Sequence, residues 1–340
     1  MPTSAATPSR LPAWMQAWTA LIPGLMLAVV VALAATFVSD HYGGPKFLYA
    51  LLLGVAFHFL SDNERCKEGV EFAAKKLVRF GVALLGCKIV MADVTDLGLA
   101  GISALACAVV LTIGFGLLMA RALGLPYKLG LLSGGATGIC GISAAMAISS
   151  TMVQDDENER YTLMTAIGIA SLSTTAMVLY PLWVKTMGLT AAQAGLFLGG
   201  SIHDVAQVVG AGYMISPEAG DVATVVKLLR VAMLLPVVAL VGIYFGRREG
   251  GQSSSLLATV PWFLLVVAAL VIVISLHWVP PPLITAMQDT SRWCLVVAIA
   301  GLGVKTSIQQ LAQVGWRPIA VLLANTVFLA VLAGALLARA

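Results

Sequence analysis

The chain alternates between long apolar stretches and short polar links. Stretches such as 21–38, 101–120 and 257–276 are almost free of charged side chains. Each is close to the ~20 residues that a helix needs to cross a lipid bilayer. The pattern predicts an all-α integral membrane protein in which one polytopic domain fills residues 1–340. Its transmembrane segments are drawn at 19–38, 46–60, 73–91, 99–120, 128–151, 161–184, 190–213, 221–246, 257–276, 283–304 and 317–337.

Composition supports this interpretation and excludes several classes of protein. Hydrophobic residues make up 59% of the chain and charged residues 11%, whereas soluble domains carry roughly 25% charged residues. The net charge of +4 is too small to indicate nucleic-acid binding. The five cysteines show no CxxC pair, so we expect no disulfide, metal or cofactor.

The lysines and arginines predict how the chain is oriented. With the N-terminal tail 1–18 in the cytoplasm, thirteen of the 20 fall on the cytoplasmic side, four on the other side and three within spans. This asymmetry obeys the positive-inside rule and predicts eleven spans, with the C-terminus periplasmic or extracellular. The polar segment 61–76 is predicted to be a cytoplasmic amphipathic helix on the membrane surface. The acidic cluster 155–159 is predicted to lie outside.

A short repeat links two distant spans. Leu85-Gly86-Cys87-Lys88 and Leu302-Gly303-Val304-Lys305 end the third and the tenth predicted spans. These spans would cross the membrane in opposite directions, which indicates an inverted repeat of the kind found in secondary transporters. Chance similarity between helices rich in glycine and leucine is the alternative.

The first polar interruption of an apolar span lies at 132–145. Four glycines within eight residues disfavour a straight helix, because each lowers helix stability by about 1 kcal/mol. A broken or re-entrant helix is expected instead, with free backbone amides that suit an oxyanion. We identify Gly138, Cys140, Gly141 and Ser143 as candidate substrate-binding residues. Close helix packing through small residues is the alternative.

The second interruption lies at 199–212. It places Ser201, His203, Asp204 and Gln207 within two helical turns of an otherwise apolar span. Ionisable residues inside the membrane are expensive and usually functional. We therefore assign proton coupling to His203 and Asp204, and substrate binding to Ser201 and Gln207. A polar cluster that locks two helices together is the alternative.

Two cations lie within the eighth predicted span. Lys227 and Arg230 are three residues apart, on one face of a helix. They are predicted to bind an anionic substrate or to neutralise Asp204. The alternative is that their long side chains reach back to the membrane interface.

Several motifs resemble a known family. LVRFGVALLGCK (77–88), GGATGICGISAAMA (134–147), LGGSIHDVAQVVGAG (198–212), VKLLR (226–230) and PWF (261–263) are similar to those of the bacterial sulfate exporter family of YeiH-like membrane proteins. That family is grouped with the cation:proton antiporter and bile-acid symporter-like superfamily. The resemblance implies inverted repeats, two crossed broken helices and an elevator-like motion.

These observations predict a secondary active transporter in the inner (plasma) membrane. It is expected to export a small anion, most simply sulfate, sulfite or a sulfonate, by alternating access with proton coupling. A sodium-coupled carboxylate importer and a membrane anion sensor that moves nothing are the alternatives. An enzyme is not expected, because no HExxH or GxSxG motif is present. The expected partners are the anion and the lipid bilayer but not nucleic acid, with a homodimer left open.

Overall fold

A computed structural model describes residues 13–61, 63–87, 98–248, 262–305 and 315–337. These residues form helices joined by short turns. The helices are α1 (Ala13–Tyr42), α2 (Lys46–Ala56), α3 (Glu64–Glu71), α4 (Val78–Leu85), α5 (Gly98–Ala122), α6 (Tyr127–Gly138), α7 (Ile142–Ser149), α8 (Asp156–Thr186), α9 (Ala191–Ser201), α10 (Val205–Ile215), α11 (Pro217–Ala232), α12 (Leu234–Arg248), α13 (Trp262–Ser275), α14 (Pro281–Lys305) and α15 (Trp316–Leu337).

The predicted helical membrane fold is confirmed. Five described helical segments are long and apolar enough to span a bilayer, and several shorter helices are also apolar. Every predicted apolar segment contains helix. In hydrocarbon a helix satisfies its own backbone hydrogen bonds, which is why such a sequence folds this way.

The predicted segment 128–151 enters and leaves the protein on the same side. The Lys128 ammonium lies 3.2 Å from the carboxylate of Asp155, although a straight helix between them would separate them by roughly 40 Å. The ring of Tyr127 stacks near Phe245, and Gly242 of the same helix faces Thr151. Helices α6 and α7 therefore form a re-entrant hairpin, which we call hairpin 1 (127–149).

The predicted segment 190–213 is a second hairpin. A Cβ placed on Gly195 would lie 2.8 Å from the carbonyl oxygen of Ala219, and one on Gly212 would lie 3.1 Å from that same oxygen. Both arms thus contact one turn of α11, so α9 and α10 run back along each other. We call this unit hairpin 2 (191–215).

The two hairpins enter from opposite ends of one long helical rod. Helices α11 and α12 form a nearly continuous span, Pro217–Phe245. Hairpin 2 is anchored near Ala219 and hairpin 1 near Gly242, roughly 35 Å further along at 1.5 Å per residue. The prediction of broken or re-entrant helices is thereby resolved as two re-entrant hairpins, so the segments 128–151 and 190–213, counted among the eleven predicted spans, do not cross the membrane. Opposite insertion of two such units is the geometry of an inverted repeat.

The hairpins correct the predicted position of the acidic cluster. Because Asp155 contacts Lys128, residues 155–159 lie on the same side as Lys128, not on the opposite side. Asp155 also caps the start of α8, where its carboxylate accepts a hydrogen bond from the N–H of Asn158 at 2.7 Å.

The described helices pack as two groups. Helices α1–α4, α13 and α14 form the first group, and α5–α12 with α15 form the hairpin group. They meet mainly through α10, which contacts α2, α4 and α14. Within the first group, Ser291 bonds to Gly81 and Lys305 approaches Glu71. Helices α4 and α14 therefore run antiparallel, as the repeat predicts, although Lys88 lies outside the described residues.

The segment 61–76 differs from its prediction. It is amphipathic as expected, but α3 continues through a π-helical turn (Phe72–Leu77) directly into α4. Gly69 packs closely against Gly24 of α1, where a Cβ would lie 2.7 Å from the opposite Cα. This contact holds the segment against the bundle, so it is the first part of the third predicted span and not a separate surface helix.

Candidate functional site

The tips of the two hairpins touch inside the hairpin group. Hairpin 1 turns between Gly138 and Ile142, and hairpin 2 turns between Ser201 and Val205. Gly141 has φ +67°, a left-handed conformation that favours glycine. A Cβ placed on Gly141 would lie 3.7 Å from the carbonyl oxygen of His203.

Each tip brings two helix ends of opposite polarity together. The first arm of a hairpin ends in free carbonyl groups, which carry partial negative charge. The second arm begins with free amides, which carry partial positive charge. The site therefore contains two carbonyl ends, from α6 and α9, and two amide ends, from α7 and α10.

Arg230 satisfies both carbonyl ends at once. Its guanidinium is 1% exposed and donates to Thr137 O at 2.8 Å and to Gly138 O at 2.6 Å on hairpin 1. It also donates to Gly199 O at 3.0 Å and to Gly200 O at 2.7 Å on hairpin 2. The planar fork of the arginine lets one side chain bond to two carbonyl groups on each tip.

Lys227, one turn earlier on α11, links the tips a second time. Its ammonium is fully buried and donates to Ile139 O at 2.7 Å and to Ile202 O at 2.9 Å. Cations at helix C-termini are stabilising because they offset the negative end of the helix dipole. Both side chains thus have a structural role that the sequence did not indicate.

The amide ends face a cavity between the two helix groups. Its volume is about 170 Å³. Lining residues come from both groups and include Ala74, Lys75, Gly141, Ile142, Ile167, Ile169, Ala170, Ser171, Ser173, Thr174, Asp204, Gln207, Leu302 and Lys305.

Hydrogen bonds hold the polar residues of the cavity wall in place. Asp204 caps α10, with its carboxylate accepting the N–H of Ala206 at 2.8 Å. The N–H of Asp204 donates to Ser173 Oγ at 3.1 Å, and Gln207 Nε2 donates to Thr174 Oγ1 at 2.8 Å. Helix α8 therefore fixes the tip of hairpin 2 from the side.

The predicted site residues separate into two sets. Three of them line the cavity, namely Gly141, Asp204 and Gln207. The others lie at or behind the crossing of the tips. Of these, Gly138 accepts from Arg230, and Ser201 donates back to Phe197 O within its own helix.

His203 lies behind the tip and not on the cavity wall. Its side chain is fully buried, and Nε2 lies 3.0 Å from Thr326 Oγ1 of α15. Cys140 is buried and Ser143 is half-buried. Neither is part of the cavity lining.

The polar face of α8 and the cations of the first group are not among the residues that the sequence predicts for the site. Ser171, Ser173 and Thr174 lie in a run of hydroxyl residues within an apolar span, and this run was a usable signal. Lys75 and Lys305 were counted only for orientation, because nothing local marked them as cavity residues. In the described part of the chain, no three His, Cys, Asp or Glu residues are grouped so that they could hold a metal ion.

Comparison with known proteins agrees with this architecture of a membrane protein. A family profile described as "Conserved hypothetical protein 698" matches residues 23–322. A UPF0324 membrane protein of Chlorobaculum tepidum is 48% identical over 91% of this chain and 87% of its own length. The UPF0324 membrane protein TauZ of Paracoccus denitrificans is 46% identical over 92% of this chain and 93% of its own length. The chain therefore belongs to the conserved hypothetical protein 698, or UPF0324, family of membrane proteins.

Proposed function

We propose that this protein is a secondary active transporter of a small anion. One observation carries the proposal: two buried cations occupy the carbonyl ends of the hairpins, while the amide end of α7 and the Asp204-capped start of α10 face a cavity. Free amides at a helix start suit an anion because their N–H groups and the helix dipole act together.

The cavity favours a small substrate. Its volume of about 170 Å³ lies below the roughly 300–1,000 Å³ of pockets that hold drug-sized ligands. This volume suits sulfate, sulfite or a short sulfonate better than a sugar or a nucleotide. Tetrahedral oxyanions could accept from both amide ends at once, which the opposed hairpins make geometrically simple.

Alternating access follows from the position of the cavity. Its lining is shared between the first group, through Lys75 and Lys305, and the hairpin group. Relative movement of the groups would therefore change which side of the membrane the cavity opens to. Because the two tips are held to each other and carry the amide ends, the hairpin group would move as a unit together with the bound anion.

Asp204 is the better placed of the two predicted proton carriers. It lines the cavity, whereas His203 lies behind the tip. A carboxylate and an anion in one poorly hydrated site repel each other, so protonation of Asp204 would favour anion binding. A dianion that leaves with one proton still carries net negative charge, which a membrane potential negative inside drives outward by about 2.3 kcal/mol per 100 mV.

The sodium-coupled carboxylate importer is less well supported. Carbonyl groups at broken helix ends are the usual ligands for a coupling sodium ion in such transporters. Here Lys227 and Arg230 already occupy those carbonyls. We therefore propose transport that does not depend on sodium.

Orientation remains part of the proposal. Because the two hairpins do not cross the membrane, Arg160 is assigned to the same side as Lys128 and Lys185 to the other side, the reverse of the eleven-span prediction for both residues. The split of lysines and arginines stays thirteen to four with the N-terminus cytoplasmic and the C-terminus outside. The inner membrane is the location that this orientation implies.

Flux measurements in proteoliposomes test the function. Labelled sulfite, sulfate and a two-carbon sulfonate should enter or leave with saturable kinetics when sodium is replaced by choline. Asp204→Asn keeps the helix cap, since asparagine caps as well as aspartate, but should abolish stimulation by a pH gradient. Asp289→Asn, in an exposed ion pair, is the matched control. Absence of flux for all three anions would support a sensor, and a strict requirement for sodium would support the alternative transporter.

A further inference from the structure

The cavity wall contributed by the first helix group carries positive charge. Lys75 and Lys305 both line the cavity, on helices that belong to the opposite group from the hairpin tips.

One acidic residue connects the two lysines. The Glu71 carboxylate bonds to Lys75 and lies 3.5 Å from the ammonium of Lys305. All three side chains are partly exposed, with 53%, 42% and 44% of the side-chain surface of Lys75, Lys305 and Glu71 accessible. An exposed pair of this kind contributes about 0–1 kcal/mol to stability, so its contacts can exchange readily.

We propose that Lys75 and Lys305 form an anion-recruiting path from the mouth of the cavity to the hairpin tips. This inference rests on the proposed function and identifies specificity-determining residues for the same site. The two lysines and Glu71 give the path a net charge of +1, which becomes +2 when Glu71 moves away from the lysines and then matches a divalent oxyanion. Glu71 acts as an internal anion that occupies the lysines until a substrate displaces it.

Position along the path explains why these cations lie on the first group. The hairpin tips provide dipoles but no free side-chain cation, because Lys227 and Arg230 are bound to carbonyls. Side-chain charge attracts an anion over a longer range than a helix end, whose effect falls off within one turn. Recruitment by the first group and binding by the second would let the anion move with the hairpins after it leaves the lysines.

Lys76 provides a matched control within the same turn. It is exposed like its neighbour Lys75, but it lies over the ring of Phe72 and is not part of the cavity lining. Lys76→Gln changes the net charge of the protein as much as Lys75→Gln does. A difference between the two variants therefore reports on position and not on overall charge.

Initial rates of sulfite and sulfate flux in proteoliposomes test the path. The double variant Lys75→Gln/Lys305→Gln should raise KM by about fivefold or more with kcat within about twofold, and Glu71→Gln should lower KM, as expected for electrostatic steering. Raising the ionic strength from about 20 to 200 mM should raise KM for the wild type and much less for the double variant. Lys76→Gln should match the wild type.

Distinct results separate failure of the path from failure of the transporter. Equal KM for the double variant and Lys76→Gln, in a protein that transports, would overturn the path alone. A fall in kcat without a change in KM would assign the lysines a structural role and would overturn it too. A wild-type protein that moves no anion would overturn both proposals. Elution as a single species in detergent and an unchanged melting temperature would confirm that each variant is folded.

Discussion

Replacement of Arg230 by methionine tests the central element of the site. Methionine has a similar length and fits an apolar environment, so the substitution removes the charge and the donors with little change in volume. It leaves four carbonyl groups without their donor, those of Thr137 and Gly138 on one tip and of Gly199 and Gly200 on the other. The two tips also lose the one side chain that contacts both through a planar fork.

The expected loss of stability is large. Leaving a buried acceptor unsatisfied costs about 1–3 kcal/mol, so four carbonyls would give about 4–12 kcal/mol before any compensation. Removal of the guanidinium also removes its own desolvation penalty, which is several kcal/mol. The two contributions together give a net loss of about 3–5 kcal/mol, a large share of the roughly 5–15 kcal/mol that stabilises a typical protein. Arg230→Lys keeps the charge but loses the fork, and we expect about half of this effect.

Thermal unfolding in detergent measures the effect directly. Cys87 and Cys140 are buried, so a thiol-reactive dye reports their exposure on unfolding as a rise above the signal of the exposed Cys107. We expect the apparent melting temperature of Arg230→Met to fall by roughly 10 °C. Arg292→Met is the matched control, because Arg292 is exposed and lies 3.6 Å from Asp289, a pair of the kind that contributes at most about 1 kcal/mol. Equal melting temperatures for the two methionine variants would refute the assigned role of Arg230.

Three further predictions follow from the geometry. Gly141→Ala should destabilise the protein by about 1–3 kcal/mol in the same melting assay, because Gly141 has a positive φ. Gly334→Ala is the control: a Cβ at Gly334 would meet no neighbouring atom, so this variant should stay within about 1 kcal/mol of the wild type. Equal losses of stability would contradict the prediction. Gln207→Glu places a negative charge in the cavity and should raise the KM for anions about tenfold or more, while Gln193→Glu keeps its capping box and should not change KM. The backbone N–H of Asn158 at the start of α8, and after it the ammonium of Lys128, lower the pKa of Asp155, so its charge stabilises the protein above about pH 4 and stops doing so as pH falls through that lowered pKa. The difference in melting temperature between wild type and Asp155→Asn should therefore shrink between pH 7 and pH 3. A difference that grows on acidification would contradict this.

Much of the fold could be predicted from hydrophobic length and glycine content. The segments around Gly138 and Ser201 were correctly identified as interruptions, because glycine and polar residues at that depth oppose a continuous helix. Whether such a segment crosses the membrane or turns back is not encoded in its hydrophobic length, since both forms bury a similar number of apolar residues. The decision lies in long-range contacts such as Lys128 with Asp155, which join residues 27 positions apart and have no periodic signature.

The roles of the charged residues show the same limit. The sequence identifies Lys227 and Arg230 as cations that are costly inside the membrane and need a partner. A partner sought among side chains and ligands is either Asp204 or an anionic substrate. The partners in the structure are backbone carbonyls, which every residue possesses and which become free only where a helix ends. Two opposed hairpins necessarily create such carbonyl ends together with amide ends. Once internal cations neutralise the carbonyl ends, the amide end of α7 and, when Asp204 is protonated, that of α10 would favour an anion in the cavity. The proposed charge selectivity would then follow from the same arginine and lysine that hold the tips together.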